Sequence, residues 1–312
     1  MIMEINENDF KTIEKYNKID GDATAADIRD RLKELIAGES FVPKIVIIQV
    51  GNDFASTKYV NRKRKVAVEL GIDAEIKHFE KSITEVQLLA EIDKVNNDNS
   101  VHGFIVQMPL PEHINTFNVL MHIRPDKDLD GLSPLNAGLL HYSKSVPYSV
   151  EEALNKHVDT HALGKTLPFI PCTPLGCLHL ITNMINPSGK NAIVFGNSNL
   201  VGRPMVRLLT QAGATTTTIH SRSRSIDHLL THADIIVSAT GAGIDIDADV
   251  IKPDAIIIDV AIRPDENGGI CGDLNYKKLV LQNHITPVPK GVGPMTVACL
   301  MLNSYLAGLA HN

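Results

Sequence analysis

Tryptophan is absent from the chain, and aromatic residues make up only 4% of it. That scarcity argues against a stacking platform for single-stranded nucleic acid and against an aromatic hot-spot interface. Positive charge is not in excess either. Thirty Lys and Arg face 36 Asp and Glu, and a net charge of -6 leaves no basic footprint for a polyanion. The four cysteines, Cys172, Cys177, Cys271 and Cys299, form no CxxC pair and have no histidine at zinc spacing, so no disulfide framework or metal site is expected. No run approaches the ~18 apolar residues of a membrane span. The N-terminal MIMEINENDFKTIEKYNKID alternates in charge, unlike a secretory signal. These absences together predict a cytoplasmic protein with reduced core cysteines that binds neither nucleic acid nor membrane.

What is present is globular composition, 44% apolar and 21% charged. At about 150 residues per domain, 312 residues predict two domains. Short apolar runs bounded by Gly, Pro or Asn alternate with segments of helical period. Strands are predicted at 44–50, 74–79, 103–107, 192–195, 215–219, 235–239, 255–260 and 285–288. Helices are predicted at 25–37, 57–70, 86–96, 173–185, 205–212 and 295–309. Regular alternation of this kind means βα units and mostly parallel sheets, an α/β protein with two α/β domains, the second Rossmann-type, and a cleft between them. The first domain is expected over 1–172 plus the returning helix in 291–312, and the second over 173–290. The stretch from Tyr142 to Phe169 has weak periodicity and reads as an irregular excursion.

The strand at 192–195 runs into GNSNLVGRP, which sets Gly196, Ser198 and Gly202 between a strand and a helix. Gly196 permits a tight turn, Ser198 is small enough for backbone to approach a pyrophosphate, and Gly202 allows close helix–strand packing. An NAD site would place a carboxylate about 20 residues further on, at the end of the next strand. That strand ends instead in His220, Ser221, Arg222 and Ser223. A hydroxyl and a guanidinium suit a 2′-phosphate, which favours NADP, although SRSRS also reads as a plain solvated loop.

In the first half, Ser56, Tyr59 and Lys63 fall at i, i+3 and i+7 of one helix and share a face. Gln107 follows an apolar strand and precedes MPLP, whose prolines continue neither strand nor helix. DKDLDG concentrates Asp126, Asp128 and Asp130 in one turn without the spacing of a calcium loop. TPVPKGVGPMT supplies a rigid Pro- and Gly-rich connection before the last helix. A two-domain NADP-linked enzyme with a Lys-centred cleft is as far as residue chemistry alone reaches. Without further information, a two-domain amino- or hydroxy-acid dehydrogenase would be the competing class, and it lacks a His–carboxylate pair here.

Taken in order, VGNDFASTKYVNRKRKVAVELGI, GFIVQMPLP, PDKDLDG, PCTPLG, VFGNSNLVGRP, HSRS and TPVPKGVGPMT resemble the motifs of the bifunctional methylenetetrahydrofolate dehydrogenase/methenyltetrahydrofolate cyclohydrolase family. The resemblance runs from about Ile19 to Ala310. It implies NADP-dependent oxidation of 5,10-methylenetetrahydrofolate to the methenyl compound and hydrolysis of that to 10-formyltetrahydrofolate. Alternatives are a paralogue with one activity, or a non-catalytic folate- or dinucleotide-binding regulator, which would have no need of Lys63. By the same resemblance Lys63 is catalytic, Gln107 tunes it and Asp130 holds the pterin. Ser56, Tyr59, Gly293 and Pro294 border the folate. Gly196, Asn197, Ser198, Gly202, Ser221, Arg222 and Ile262 serve NADP. The family is commonly a homodimer, and no metal is implied.

The chain departs from that pattern at Phe54, where the family has Pro, and at Leu139, where it has Arg or Lys. Ala261 and Lys290 stand where it has Gly, and Asn197 where many members have Arg. The Tyr142–Phe169 segment is also longer than its counterpart in most relatives.

Overall fold

The computed structural model describes residues 7–244, 246–265 and 268–312. Its chain forms two compact units. One contains Ala26–Cys172 and Val297–Asn312, the other the chain up to Ala25 together with Thr173–Thr296. Residues 7–25, expected with the first domain, therefore group with the second. Backbone pairing explains this, because Ile19 N–H donates to Ile285 O at 2.9 Å, Asn17 Nδ2 to Val280 O at 2.8 Å and Tyr276 OH to Glu14 at 3.0 Å.

The elements begin with α1 (Glu7–Asn17) and α2 (Gly21–Ala37), followed by β1 (Lys44–Val50), α3 (Phe54–Glu69), β2 (Asp73–Phe79), α4 (Glu85–Asn97) and β3 (Gly103–Val106). Three shorter helices come next, α5 (Thr116–His122), α6 (Pro134–Tyr142) and α7 (Val150–Leu154). β1 lies between β2 and β3 in a parallel three-stranded sheet. Its sequence KIVIIQV is buried nearly throughout, as a central parallel strand covered on both faces must be. Leu88 and Ile92 of α4 and Val119 of α5 pack with Val46, Ile48 and Phe104.

The second unit continues with α8 (Cys172–Met184), β4 (Asn191–Phe195), α9 (Gly202–Gln211), β5 (Thr215–Ile219), α10 (Asp227–Leu230), β6 (Ile235–Ser238) and β7 (Ile256–Asp259). Then come the small hairpin β8 (Arg263–Pro264) and β9 (Ile270–Cys271), α11 (Tyr276–Leu279) and β10 (His284–Ile285), and last α12 (Val292–His311), which belongs to this unit up to Thr296 and to the first unit from Val297 on. Five parallel strands lie in the order β10-β7-β6-β4-β5. Chain order thus reverses at β4, which has β5 on one side and β6 on the other. The first sheet reverses likewise at β1. Open α/β sheets bind ligands beyond the carboxyl ends of the strands at such reversals.

The predicted strands and helices are present with ends shifted by a few residues, while α1, α5, α6, α7, α10 and α11 and the short strands β8 and β9 have no counterpart in the sequence reading. The Tyr142–Phe169 excursion holds one α-helix, α7, closed by a capping box between Ser149 and Glu152. It is tied to its own unit by Arg31–Glu151 at 2.9 Å and Lys156–Glu39 at 2.7 Å. α12 is long and apolar enough to cross a membrane, but most of it is buried inside the protein, as a core helix is. Cys172, Cys177 and Cys299 are buried and Cys271 is half-buried, and none of them is in a disulfide.

Candidate active site and dinucleotide-binding turn

β1 ends at Val50, and α3 starts three residues after Gly51 with Asp53 as its N-cap, whose carboxylate accepts from Ser56 N–H at 2.8 Å. Such a cap contributes about 1 kcal/mol. Gln49, buried at the end of β1, donates through Nε2 to Thr57 Oγ1 at 2.7 Å and so fixes the start of the helix against the strand. The parallel pairing of β1 with β3 carries Gln107 to the same edge, where its N–H donates to Ile48 O at 2.8 Å.

The i, i+3, i+7 face predicted for α3 has a defined partner. Lys63 is only 5% exposed, and its Nζ donates to Gln107 Oε1 at 3.0 Å. The Gln107 amide is oriented by its other end, since Nε2 donates to Met108 O at 2.6 Å and leaves the oxygen for the amine. Lys63 Nζ also stands 5.4 Å from the centre of the Tyr59 ring, within cation–π range. Ser56 and Tyr59 are half-buried on the same helix. Lys65, by contrast, is exposed and faces Glu69 at 3.8 Å.

The DKDLDG turn is not a cluster of free acids. Asp126 pairs with Arg124 at 2.5 Å, and buried Asp128 accepts from Ser133 N–H at 2.7 Å and Asn136 Nδ2 at 3.0 Å. Burial nevertheless pushes the Asp128 carboxyl above its usual range, with the charge of Asp130 adding to the effect. Among the described residues no group of His, Cys, Asp and Glu has metal-site geometry. Asp130 is half-buried. It and Lys63 act on the same buried thiol, Cys172, which burial holds far above the usual thiol range while Asp130 reinforces that shift and Lys63 opposes it. Lys63, Gln107 and Tyr59 thus share one neighbourhood, and Asp130 lies in the same unit.

In the other unit the turn after β4 has the geometry a pyrophosphate needs. Gly196 has φ +106, and a Cβ on it would come 2.5 Å from Ala239 O, the residue that follows β6. Only glycine fits where the two strands diverge. A Cβ on Gly202, at the start of α9, would meet Gly196 O at 2.3 Å. Ser198 Oγ accepts from the N–H of Val201 and Gly202, and exposed Asn197 accepts from Arg203 Nε at 3.1 Å. Past β5, His220, Ser221 and Arg222 are exposed in a turn held by His220 N–H to Ser223 Oγ at 3.1 Å. Among the described residues no carboxylate stands in that turn, and the donor set suits a 2′-phosphate. Ile262 is exposed beyond the end of β7. Gly293 and Pro294 form the first turn of α12. Lys290, where the family pattern has Gly, holds φ +80, a left-handed conformation costly for any side chain.

One residue of this region carries no sequence signal, because a lone Asp in GDLN breaks no pattern. Buried Asp273 accepts from Ser238 Oγ, Thr240 N–H, Thr240 Oγ1 and Gly241 N–H through Oδ2, and from Gly243 N–H through Oδ1, all within 3.2 Å. It thereby shapes the loop whose Ala239 carbonyl packs on Gly196. Arg263 Nε lies 3.7 Å away. Burial opposes ionisation, but the donors of Thr240, Gly243 and Ser238 outweigh it and hold the Asp273 carboxyl below 3.8. Asp259 next to it is pushed up to about 6, by burial first and by the Asp273 charge in addition.

Comparison with known proteins finds matches to two domain models. Residues 19–130 match the model of the tetrahydrofolate dehydrogenase/cyclohydrolase catalytic domain, and residues 171–311 that of its NAD(P)-binding domain. The chain is 40% identical over 294 residues to the bifunctional protein FolD of Staphylococcus aureus, covering 93% of this chain and 95% of that protein. A crystal structure of FolD, a methylenetetrahydrofolate dehydrogenase/cyclohydrolase from Campylobacter jejuni, is 36% identical with a TM-score of 0.82 over 93% of this chain and 98% of the other. The Trypanosoma brucei FolD, solved with NADP cofactor and an inhibitor, is 30% identical with a TM-score of 0.81 over 93% and 96%.

The Asp273 network predicts a measurable loss. Asp273→Asn removes the charge and turns an amide NH2 donor toward a ring of donors, and a buried network broken in this way costs about 3–5 kcal/mol in denaturant unfolding at pH 7. Because the folded carboxyl titrates below its ordinary value, its stabilisation is complete above about pH 4 and lost as the pH falls through that lower value. The variant should accordingly lose less stability on acidification than the parent protein. Equal unfolding midpoints at neutral pH would show that the network does not hold the loop.

Proposed function

Since the chain belongs to the tetrahydrofolate dehydrogenase/cyclohydrolase family, we propose that it oxidises 5,10-methylenetetrahydrofolate with NADP and hydrolyses the product to 10-formyltetrahydrofolate, using Lys63, Gln107 and Asp130. The observation that carries the assignment of residues is the buried Lys63 amine held at 3.0 Å by Gln107 on the reversal edge of the first sheet.

NADP, when bound, supplies the hydride acceptor. The residues that would hold it are the Gly196–Ser198 turn and the start of α9 for the pyrophosphate, with Ser221 and Arg222 for the 2′-phosphate. The folate unit has little acid–base work in this step. A hydride leaves the methylene carbon and the bridge becomes a methenyl cation, so the demand is for orientation of that carbon. Asp130 suits the donor edge of the aminopyrimidine ring, and Tyr59 offers an aromatic face beside it.

Hydrolysis needs more from the protein. Water adds to the methenyl carbon, the bond from that carbon to N5 breaks, one water proton ends on N5 and the other is released. Lys63 is the group in this neighbourhood able to carry a proton between those positions. Gln107 keeps the amine aimed without adding a charge that would compete for the cationic substrate.

Two measurements test the reading. Lys63→Met retains length and apolar bulk but removes the amine. It should slow decay of methenyl absorbance at least ~100-fold while NADP-dependent oxidation stays within about tenfold. Decay at the parent rate would remove Lys63 from the hydrolysis. Arg222→Ala should raise KM for NADP about tenfold or more and leave KM for NAD within about twofold, since a charge-assisted bond to the 2′-phosphate exists only with NADP. Equal changes with both cofactors would refute the role of Arg222.

A further inference from the structure

The two family matches stop at residue 130 and resume at 171. The segment between them, including the long stretch from Tyr142 to Phe169, is not explained by either reaction. Two aromatic rings of that segment are fully buried, Phe169 and Tyr148, and of the two only Tyr148, 1% exposed, carries a hydroxyl. The hydroxyl of that ring donates to Asn303 Oδ1 at 3.1 Å and accepts from Ile170 N–H at 3.0 Å. Asn303, on α12 and fully buried, uses its Nδ2 to donate to Leu129 O at 2.8 Å and Ile170 O at 3.1 Å.

Leu129 immediately precedes Asp130. Its side is therefore held from behind by Asn303, whose amide is in turn held by Tyr148. The turn has further ties to the same segment. A Cβ on Gly131 would come 2.5 Å from Phe169 O, and one on Gly164 would come 2.3 Å from Asp126 N. Phe169 N–H donates to Asn136 Oδ1 at 3.2 Å, and Asn136 also reaches Asp128. All of these residues belong to one unit.

We propose that Tyr148 and Asn303 are a positioning pair that sets the place of Asp130 and, through it, the affinity for the folate ring. The pair touches no reacting atom. It acts by fixing the carbonyl of Leu129, so that the Asp130 backbone does not have to be ordered when substrate binds. The segment between the two family matches is then the brace of the substrate site rather than a surface addition. This inference rests on the reading of Asp130 as the pterin anchor.

The test compares Tyr148→Phe, Asn303→Ser and Asp130→Asn in the full-length protein, with Ile92→Val as a core variant remote from the turn. Dehydrogenase kinetics are measured with methylenetetrahydrofolate and with NADP as the varied substrate, alongside thermal unfolding. Tyr148→Phe and Asn303→Ser should each raise KM for the folate about five- to tenfold, with kcat and KM for NADP within about twofold. Ile92→Val should lower the unfolding temperature without moving the folate KM. A folate KM unmoved in Tyr148→Phe and Asn303→Ser but raised in Asp130→Asn overturns the brace and leaves the Asp130 reading in place. A folate KM unmoved in Asp130→Asn as well overturns both. Losses in kcat and in both KM values that track the unfolding temperature, in Ile92→Val too, would mean that the pair is merely structural.

Discussion

An amine withdrawn from water needs a fixed acceptor, and in this protein that acceptor is the neutral oxygen of Gln107, 3.0 Å from Lys63 Nζ. Burying an ammonium costs several kcal/mol unless its donors are satisfied. Much of the first unit is arranged around that demand. β1 and β3 must be parallel neighbours for Gln107 to arrive beside α3, and Gln49 must bind Thr57 for α3 to start at the right place. Met108 O must take the far end of the Gln107 amide so that its oxygen faces the amine. Among the described residues the amine makes no ion pair, so the neutral Gln107 oxygen holds it without a partner carboxylate.

The second unit answers a different demand with the same topology. Its sheet also reverses order at its first strand, and the glycine there is set by the approach of Ala239. Here an internal anion, Asp273, orders the loop on the far side of the turn by accepting from five groups. Each unit thus orders the edge at its strand reversal with buried polar side chains, Gln49 and Gln107 in the first and Asp273 in the second.

Local chemistry made the central elements readable. The apolar runs of β1, β4 and β7, the glycines after β4 and the helical spacing of Tyr59 and Lys63 all report nearest-neighbour physics. The parts that escaped depend on partners distant in sequence. The N-terminal helix α1 carries no mark of its pairing near Val280 and Ile285, more than two hundred residues away. Asp273 and Asn303 are single polar residues, one in an irregular stretch and one inside an apolar helix, and only the fold shows what they bind. Tyr148 lies in a segment whose weak periodicity reads as loop, because it is held by side-chain bonds and one short capped helix.

The claim on which the account depends is that Lys63 and Gln107 act as one unit in the hydrolysis. A double-mutant cycle measures this directly, with cyclohydrolase rates for Lys63→Met, Gln107→Leu and the two combined. If Gln107 works by holding the amine, the double variant should hydrolyse the methenyl substrate no more slowly than Lys63→Met alone. Losses that multiply in the double variant would show that the two residues act independently and would contradict the account.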